Sequence, residues 1–347
     1  MTTITTKTTH SNTSTPDFSD ILAAKRRISP HINATPVMQS SLLNDWLGHE
    51  IFFKAEPMQK IGAFKARGGC NAVAAIIERA QQAGEPLPTR IVANSSGNHA
   101  QAVAWAASVF NIPATIYMAS NASPVKVQAT RAYGAEVVLC ENRKIADAQV
   151  AAAAEQPGVV WIPPYNHPDV IAGQGTAVLE AITELGEVDG VCMPVGGGGL
   201  MSGSYLAAKG LLPNVAVFGA EPLAGNDAAM SRRAGKIIAL DDSPKTMADG
   251  AMTLAMGDIT FPFVQQLDDL FEIDEPTIRY WTQWLQHLLK LHVEPTSAMT
   301  MGAVCEWLKQ QSGKKRVVVV LTGGNIDAAM MQRIWSEDCL TRVPGLG

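Results

Sequence analysis

Short apolar, β-branched runs alternate along the chain with stretches whose apolar positions recur every three or four residues. The first kind predicts strands at 51–54, 90–94, 114–118, 135–140, 159–162, 191–195, 215–220 and 317–321. The second predicts helices at 66–83, 99–110, 170–185, 277–291 and 297–311, with a further helix-like stretch at 200–209. Strand and helix in alternation mean an α/β fold in which parallel sheets are wrapped by helices. Ligands of such sheets bind at the carboxyl ends of the strands. No internal repeat is visible. Residues 91–125 carry no Lys, Arg, Asp or Glu, but Asn94-Ser95-Ser96-Gly97-Asn98-His99 and Pro113 interrupt them, so buried α/β elements are expected there and not a membrane span.

Composition agrees with that picture. A chain of 347 residues suffices for two domains or one large one. With 47% hydrophobic and 17% charged residues it reads as a soluble globular protein. The net charge of −5 and the lack of a basic stripe argue against nucleic acid as a partner. Five scattered cysteines without a C-x-x-C pair argue against a zinc or disulfide framework and suit a reducing cytoplasm. The opening Thr/Ser tract has no apolar core, so residues 1–17 are expected to be a disordered tail and not a signal peptide.

Three polar or glycine loops follow predicted strands: "NSSGNH" at 94–99, "GGGG" at 196–199 and "TGGN" at 322–325. Three such loops suggest one ligand gripped from several strand ends. Gly196 to Gly199 stand between a strand and a helix, where bare backbone N–H groups can approach an anion closely. A P-loop would need a lysine directly after the glycines, and the first one beyond them is Lys209. A dinucleotide fingerprint starting at Gly196 and Gly198 would need glycine at position 201, which is Met201. A single phosphate monoester suits the loop better, although the same α/β logic could serve a nicotinamide-dependent oxidoreductase. Upstream, Lys65 lies in "QKIGAFKARGG", among glycines and apolar residues at the start of a helix. It is either a solvated lysine of a first helical turn or a desolvated, nucleophilic amine suited to a Schiff base. A phosphate cradle, such a lysine and a strand-end polar group for a ring nitrogen together describe pyridoxal phosphate.

"GAFKARGG", "SSGNHAQA", "YGAEVVLCE", "VIAGQGT", "PVGGGGLMSG", "GAEP", "ADG", "VEPTSA" and "TGGNID" occur in that order. Together they resemble the serine/threonine dehydratase and serine racemase family of fold type II (tryptophan synthase β-like) pyridoxal-phosphate enzymes, over about residues 28–327. The resemblance implies an α/β protein of two domains, each with a largely parallel twisted sheet flanked by helices. Residues 18–89 and 165–347 would form a large cofactor-binding domain, and residues 90–164 a small one. It further implies a homodimer acting on a small amino-acid substrate.

Residue by residue, the resemblance makes Lys65 the Schiff-base lysine and α-proton base, with Phe64 packed near the cofactor ring. Gly196, Gly197, Gly198 and Gly199, with Leu200, would bind the phosphate. Asn98 would meet the phenolic oxygen, and Thr322 the pyridine nitrogen as an uncharged partner. Ser95, Ser96, Asn98 and His99 would bind the substrate carboxylate, and Ser96 resembles the second-face base of the racemases. Glu221 and Asp227 with the Gly225 carbonyl match a divalent-cation site, suited to Mg²⁺ or Ca²⁺. The implied reaction is β-elimination from a β-hydroxy amino acid of the L-serine or L-threonine type, giving a 2-oxo acid and ammonia. Threo-3-hydroxyaspartate ammonia-lyase and serine racemase activities are the alternatives, and "GAFK" in place of the more frequent "GSFK" leans toward the former. An arginine found near 141–147 in some racemase-like relatives has no clear match among Arg143, Lys144 and Asp147.

Overall fold

The computed structural model describes residues 15–346. Residues 1–14 of the expected tail therefore lie outside the described part, while Asp17 caps the first helix, Phe18–Ile28. Ten strands follow in chain order: β1 (Val37–Met38), β2 (Glu50–Ala55), β3 (Arg90–Asn94), β4 (Ala114–Ala119), β5 (Glu136–Cys140), β6 (Val159–Trp161), β7 (Gly190–Pro194), β8 (Ala216–Pro222), β9 (Asp269–Ile273) and β10 (Arg316–Leu321). They form two sheets, ordered β1-β2-β10-β7-β8-β9 and β5-β4-β3-β6. Every pairing is parallel except β1 with β2 at one edge. The expected α/β architecture is thus present. Among the described residues no helix is long and apolar enough to cross a membrane.

The eight strands expected from the pattern are all there, shifted by a residue or two at their ends. β1 is too short to show a period, and β9 (Asp-Leu-Phe-Glu-Ile) hides behind its acidic residues. The helix expected at 297–311 is two helices, Pro295–Ala298 and Thr300–Leu308, with Met299 at the junction. The one expected at 277–291 starts earlier, because the Asp274 carboxylate accepts from Thr277 N–H and Pro276 suits the first turn. Helices at 124–132 and 143–154 are not predicted by the pattern, because they bury few side chains, Val127 and Thr130 in one, Ala146 and Val150 in the other.

One helix, Pro168–Leu185, organises the centre. Its glycines let two neighbouring helices come to backbone distance. A Cβ on Gly173 would lie 2.6 Å from the Arg67 carbonyl oxygen of the Lys65–Ala83 helix. One on Gly175 would lie 2.5 Å from the Gly203 carbonyl oxygen of the Gly199–Leu211 helix. A Cβ on Gly203 would in turn overlap the Ile171 carbonyl. Buried Gln174 accepts from the Gly68 N–H at 3.1 Å, locking the first of these contacts. The two helices so held begin at Lys65 and at the four-glycine loop.

Gly203→Ala should therefore force these backbones apart, at a cost of about 1–3 kcal/mol. Gly97→Ala, with open space around its Cβ, should cost far less. Thermal or urea unfolding of both variants checks this, and equal stabilities would contradict the packing account.

Candidate active site

Lys65 is reached through a strained turn. After β2 the chain passes through Ile61 at φ 60° and Gly62 at φ 71°. The first value is rare for a β-branched residue and needs support from its surroundings. That support comes from the loop after β10. Phe64 N–H donates to the Thr322 carbonyl at 2.9 Å, Gly324 N–H to the Gly62 carbonyl at 3.1 Å, and the Asn325 amide to the Ile61 carbonyl at 2.8 Å. Lys65 opens the Lys65–Ala83 helix, and its Nζ donates to the Pro164 carbonyl at 2.7 Å. The residue is only partly covered, yet the protein around its amine strips away water and draws its pKa down to about 8, against the opposing pull of Glu294. The Phe64 ring centroid lies 5.2 Å from Nζ.

The glycine loop follows β7. Gly198 adopts φ +92°, a left-handed conformation that favours glycine, and caps the helix that starts at Gly199. Side chains are shut out along the loop. A Cβ on Gly197 would overlap the Tyr165 ring, one on Gly198 would lie 2.7 Å from Thr260, and one on Gly199 would lie 2.9 Å from the Tyr165 backbone. Thr260 also donates to the Gly197 carbonyl at 2.7 Å. Among the described residues, the N–H groups of Gly196, Gly197 and Gly198 find no acceptor in the chain. With the first N–H groups of the following helix they form a row of free donors, and Leu200 in that helix is buried. Tyr165 and Thr260 shape this cradle, and no motif in the sequence pointed to them.

At the end of β10, Thr322 is 2% exposed and its hydroxyl lies 3.0 Å from Glu294 Oε1 and 2.8 Å from Ser297 Oγ. The other Glu294 oxygen accepts from the Asn98 amide at 3.2 Å, and Asn98 Oδ1 accepts from Asn325 at 2.8 Å. Burial and the nearby Asp249 raise the Glu294 pKa to about 7, against hydrogen bonds from Thr322 and Asn98 and the charge of Lys126. Glu294 was visible in the sequence only as a letter in "VEPTSA". The loop after β3 adds Ser95, whose hydroxyl accepts from Gly97 N–H at 3.2 Å, and the partly exposed Ser96. His99 is buried, with Nε2 2.8 Å from the Ile162 carbonyl oxygen. Burial, then the charge of Lys65, lowers its pKa to about 3, so the ring is neutral.

Glu221 lies at the end of β8, Gly225 in the turn that follows and Asp227 at the start of the Asp227–Ala234 helix. The Glu221 carboxylate accepts from the Ala228 and Ala229 N–H groups at 2.8 and 2.9 Å, so it caps the Asp227–Ala234 helix. Both Asp227 carboxylate oxygens are buried without a hydrogen-bond partner. Desolvation lifts Asp227 to about 7 and Glu221 to about 8, the latter with Asp227 as a further cause. No group of three or more His, Cys, Asp or Glu side chains suited to a metal occurs among the described residues.

Residues 28–323 match the model of the family described as Pyridoxal-phosphate dependent enzyme. The chain is 42% identical to an L-threo-3-hydroxyaspartate ammonia-lyase of Saccharomyces cerevisiae, over 90% of this chain and 94% of that protein. It is 40% identical to a serine racemase of Schizosaccharomyces pombe, over 90% of this chain and 95% of that protein. Among solved structures, the serine racemase of Dictyostelium discoideum superposes with a TM-score of 0.83 at 36% identity, covering 90% of this chain and all (100%) of that one.

The lowered Lys65 pKa sets a testable pH dependence. Capture of an aldehyde by this amine, trapped with borohydride and located by peptide mass spectrometry, should rise with pH and level off above about 8. Ordinary lysines gain reactivity only nearer 10.4. A Lys65 profile that matches those of surface lysines would contradict the desolvated site.

Proposed function

Because the chain belongs to the pyridoxal-phosphate dependent enzyme family, we propose that it removes water and then ammonia from a β-hydroxy amino acid to give a 2-oxo acid. The observation that carries this reading is a desolvated lysine amine bonded to the Pro164 carbonyl, one residue before the Tyr165 that packs against a loop of free backbone N–H groups. The residues present suit the cofactor. Lys65 would hold its aldehyde carbon, the N–H groups of 196–199 its phosphate, Asn98 its phenolic oxygen and Thr322 its ring nitrogen. When bound, pyridoxal phosphate withdraws electrons from the substrate's α-carbon and makes its proton acidic.

The chain's own groups do the rest. Lys65 Nζ, with a pKa of about 8, takes the α-proton as general base. Ser95, Ser96 and Asn98 hold the substrate carboxylate on the loop after β3. Neutral His99 shapes that loop through Ile162 and stays out of proton transfer. Loss of the α-proton and the β-hydroxyl leaves an enamine, which tautomerises and hydrolyses once released. Similarity to serine racemase favours a second reading beside this one, in which Ser96 returns a proton to the opposite face.

A divalent cation fits the second cluster. Two buried acids this close repel each other unless a cation or protons intervene, and the Asp227 oxygens are free to bind one. Asp227, Glu221 and the Gly225 carbonyl would supply hard oxygen ligands, and water the remainder.

Serine, threonine and threo-3-hydroxyaspartate, offered in turn to the holoenzyme, should yield ammonia and 2-oxo acid in equal amounts from at least one of them. Lys65→Ala should reduce that turnover by several orders of magnitude while the chain stays folded. No 2-oxo acid from any of the three would overturn the reading. For the cation, EDTA should lower the melting temperature and Mg²⁺ or Ca²⁺ restore it by mass action on the folded state. Asp227→Ala should abolish that response, and a wild-type melting curve unmoved by chelator would leave Glu221 as a helix cap alone.

A further inference from the structure

The hydrogen bonds around Thr322 admit only a few proton arrangements. Ser297 Oγ accepts from the Thr322 N–H at 2.8 Å and from the Gly323 N–H at 3.1 Å, which uses both its lone pairs. Its own proton must point outward, and Thr322 Oγ1 at 2.8 Å is a closer acceptor than the Gly323 carbonyl at 3.3 Å. Thr322 Oγ1 is therefore an acceptor toward Ser297. It keeps one proton and one lone pair, with Glu294 Oε1 at 3.0 Å as its other neighbour.

We propose that Glu294 is the positioning residue that decides whether the pyridine nitrogen of the bound cofactor carries a proton, acting through the Thr322 hydroxyl. This rests on the placement of Thr322 at that nitrogen. When Glu294 is ionised, the Thr322 proton turns to the carboxylate, and the remaining lone pair suits a nitrogen that bears a proton. When Glu294 is protonated, it donates to Thr322, and Thr322 donates to a bare nitrogen. One proton is shared between carboxyl and nitrogen, and the hydroxyl turns over to match. A threonine thus does not by itself keep the nitrogen uncharged.

The other oxygen of the same carboxyl group holds Asn98, the residue placed at the phenolic oxygen, so one buried acid stands behind both polar edges of the ring. The charged groups that face it are Asp249, itself paired to Lys126 at 2.7 Å, and Lys65. Their balance with burial leaves the Glu294 pKa at about 7, close enough to neutrality for both proton positions to be populated.

The ring nitrogen can be read directly by ¹⁵N NMR after loading the chain with ring-¹⁵N pyridoxal phosphate. In the wild type the signal should contain a pyridinium contribution that fades as pH rises through about 7. In Glu294→Gln the amide N–H donates to Thr322 at every pH, so the signal should stay at the neutral-pyridine position. In a Thr322→Val background, Glu294→Gln should change nothing further. If Thr322→Val leaves the signal unchanged, Thr322 is not at the nitrogen and both readings fall. If Thr322→Val moves it and Glu294→Gln does not, this inference alone falls. A measurement on the unsubstituted chain guards against misfolded variants: the Glu294 carboxyl, followed by ¹³C label, should titrate differently with pyridoxal phosphate than with its 1-deaza analogue, which has carbon in place of the ring nitrogen. Identical titrations overturn the proposal.

Discussion

The site depends on the approach of three helices to backbone distance around Gly173, Gly175 and Gly203. Lys65 and the glycine loop lie 131 positions apart in sequence, the difference between 65 and 196, and nothing local relates them. The Pro168–Leu185 helix does so by touching the Lys65–Ala83 helix with Gly173 and the Gly199–Leu211 helix with Gly175. Close packing tolerates little shift, so two helix N-termini are set in one geometry. One of them carries an amine, the other a row of free N–H donors.

Beneath this crossing, the next residue after the amine but one is spent on structure. Arg67 is fully buried and meets Glu56 at 2.7 Å and Glu180 at 2.8 Å, with Lys54 also on Glu180 at 2.8 Å. Burial alone would raise the Glu180 pKa, but Arg67 and Lys54 hold it at about 2. Every charge in that cluster has an opposite partner, as buried charges require. Lys65 differs: its hydrogen-bond partner is a neutral carbonyl, and the nearest acid that raises its pKa, Glu294, is engaged with Thr322 and Asn98. Two residues apart, one cation is locked by carboxylates and the other is left available for chemistry.

Much of this molecule was legible as pattern. Strand and helix alternation depends on local periodicity, so the α/β class, eight of the ten strands and the three ligand loops could be read directly. Lys65 and the glycines were legible because glycine and lysine in apolar company are locally anomalous and need a reason. Edge strand β1, acid-masked β9 and the lightly buried helices carried too weak a period to be seen.

Tertiary structure decided whatever depends on which distant residues meet. Glu294 is unremarkable in sequence, and its importance comes from burial between Thr322, 28 positions downstream, and Asn98, 196 upstream. Tyr165 and Thr260 close the glycine cradle from segments with no motif of their own. The amino-acid order determined which groups could do chemistry, since residue type and local backbone conformation are properties of neighbours along the chain. Protonation state, and with it the electrostatics around Lys65 and Glu294, came only with folding, because desolvation and hydrogen bonding are set by neighbours in space.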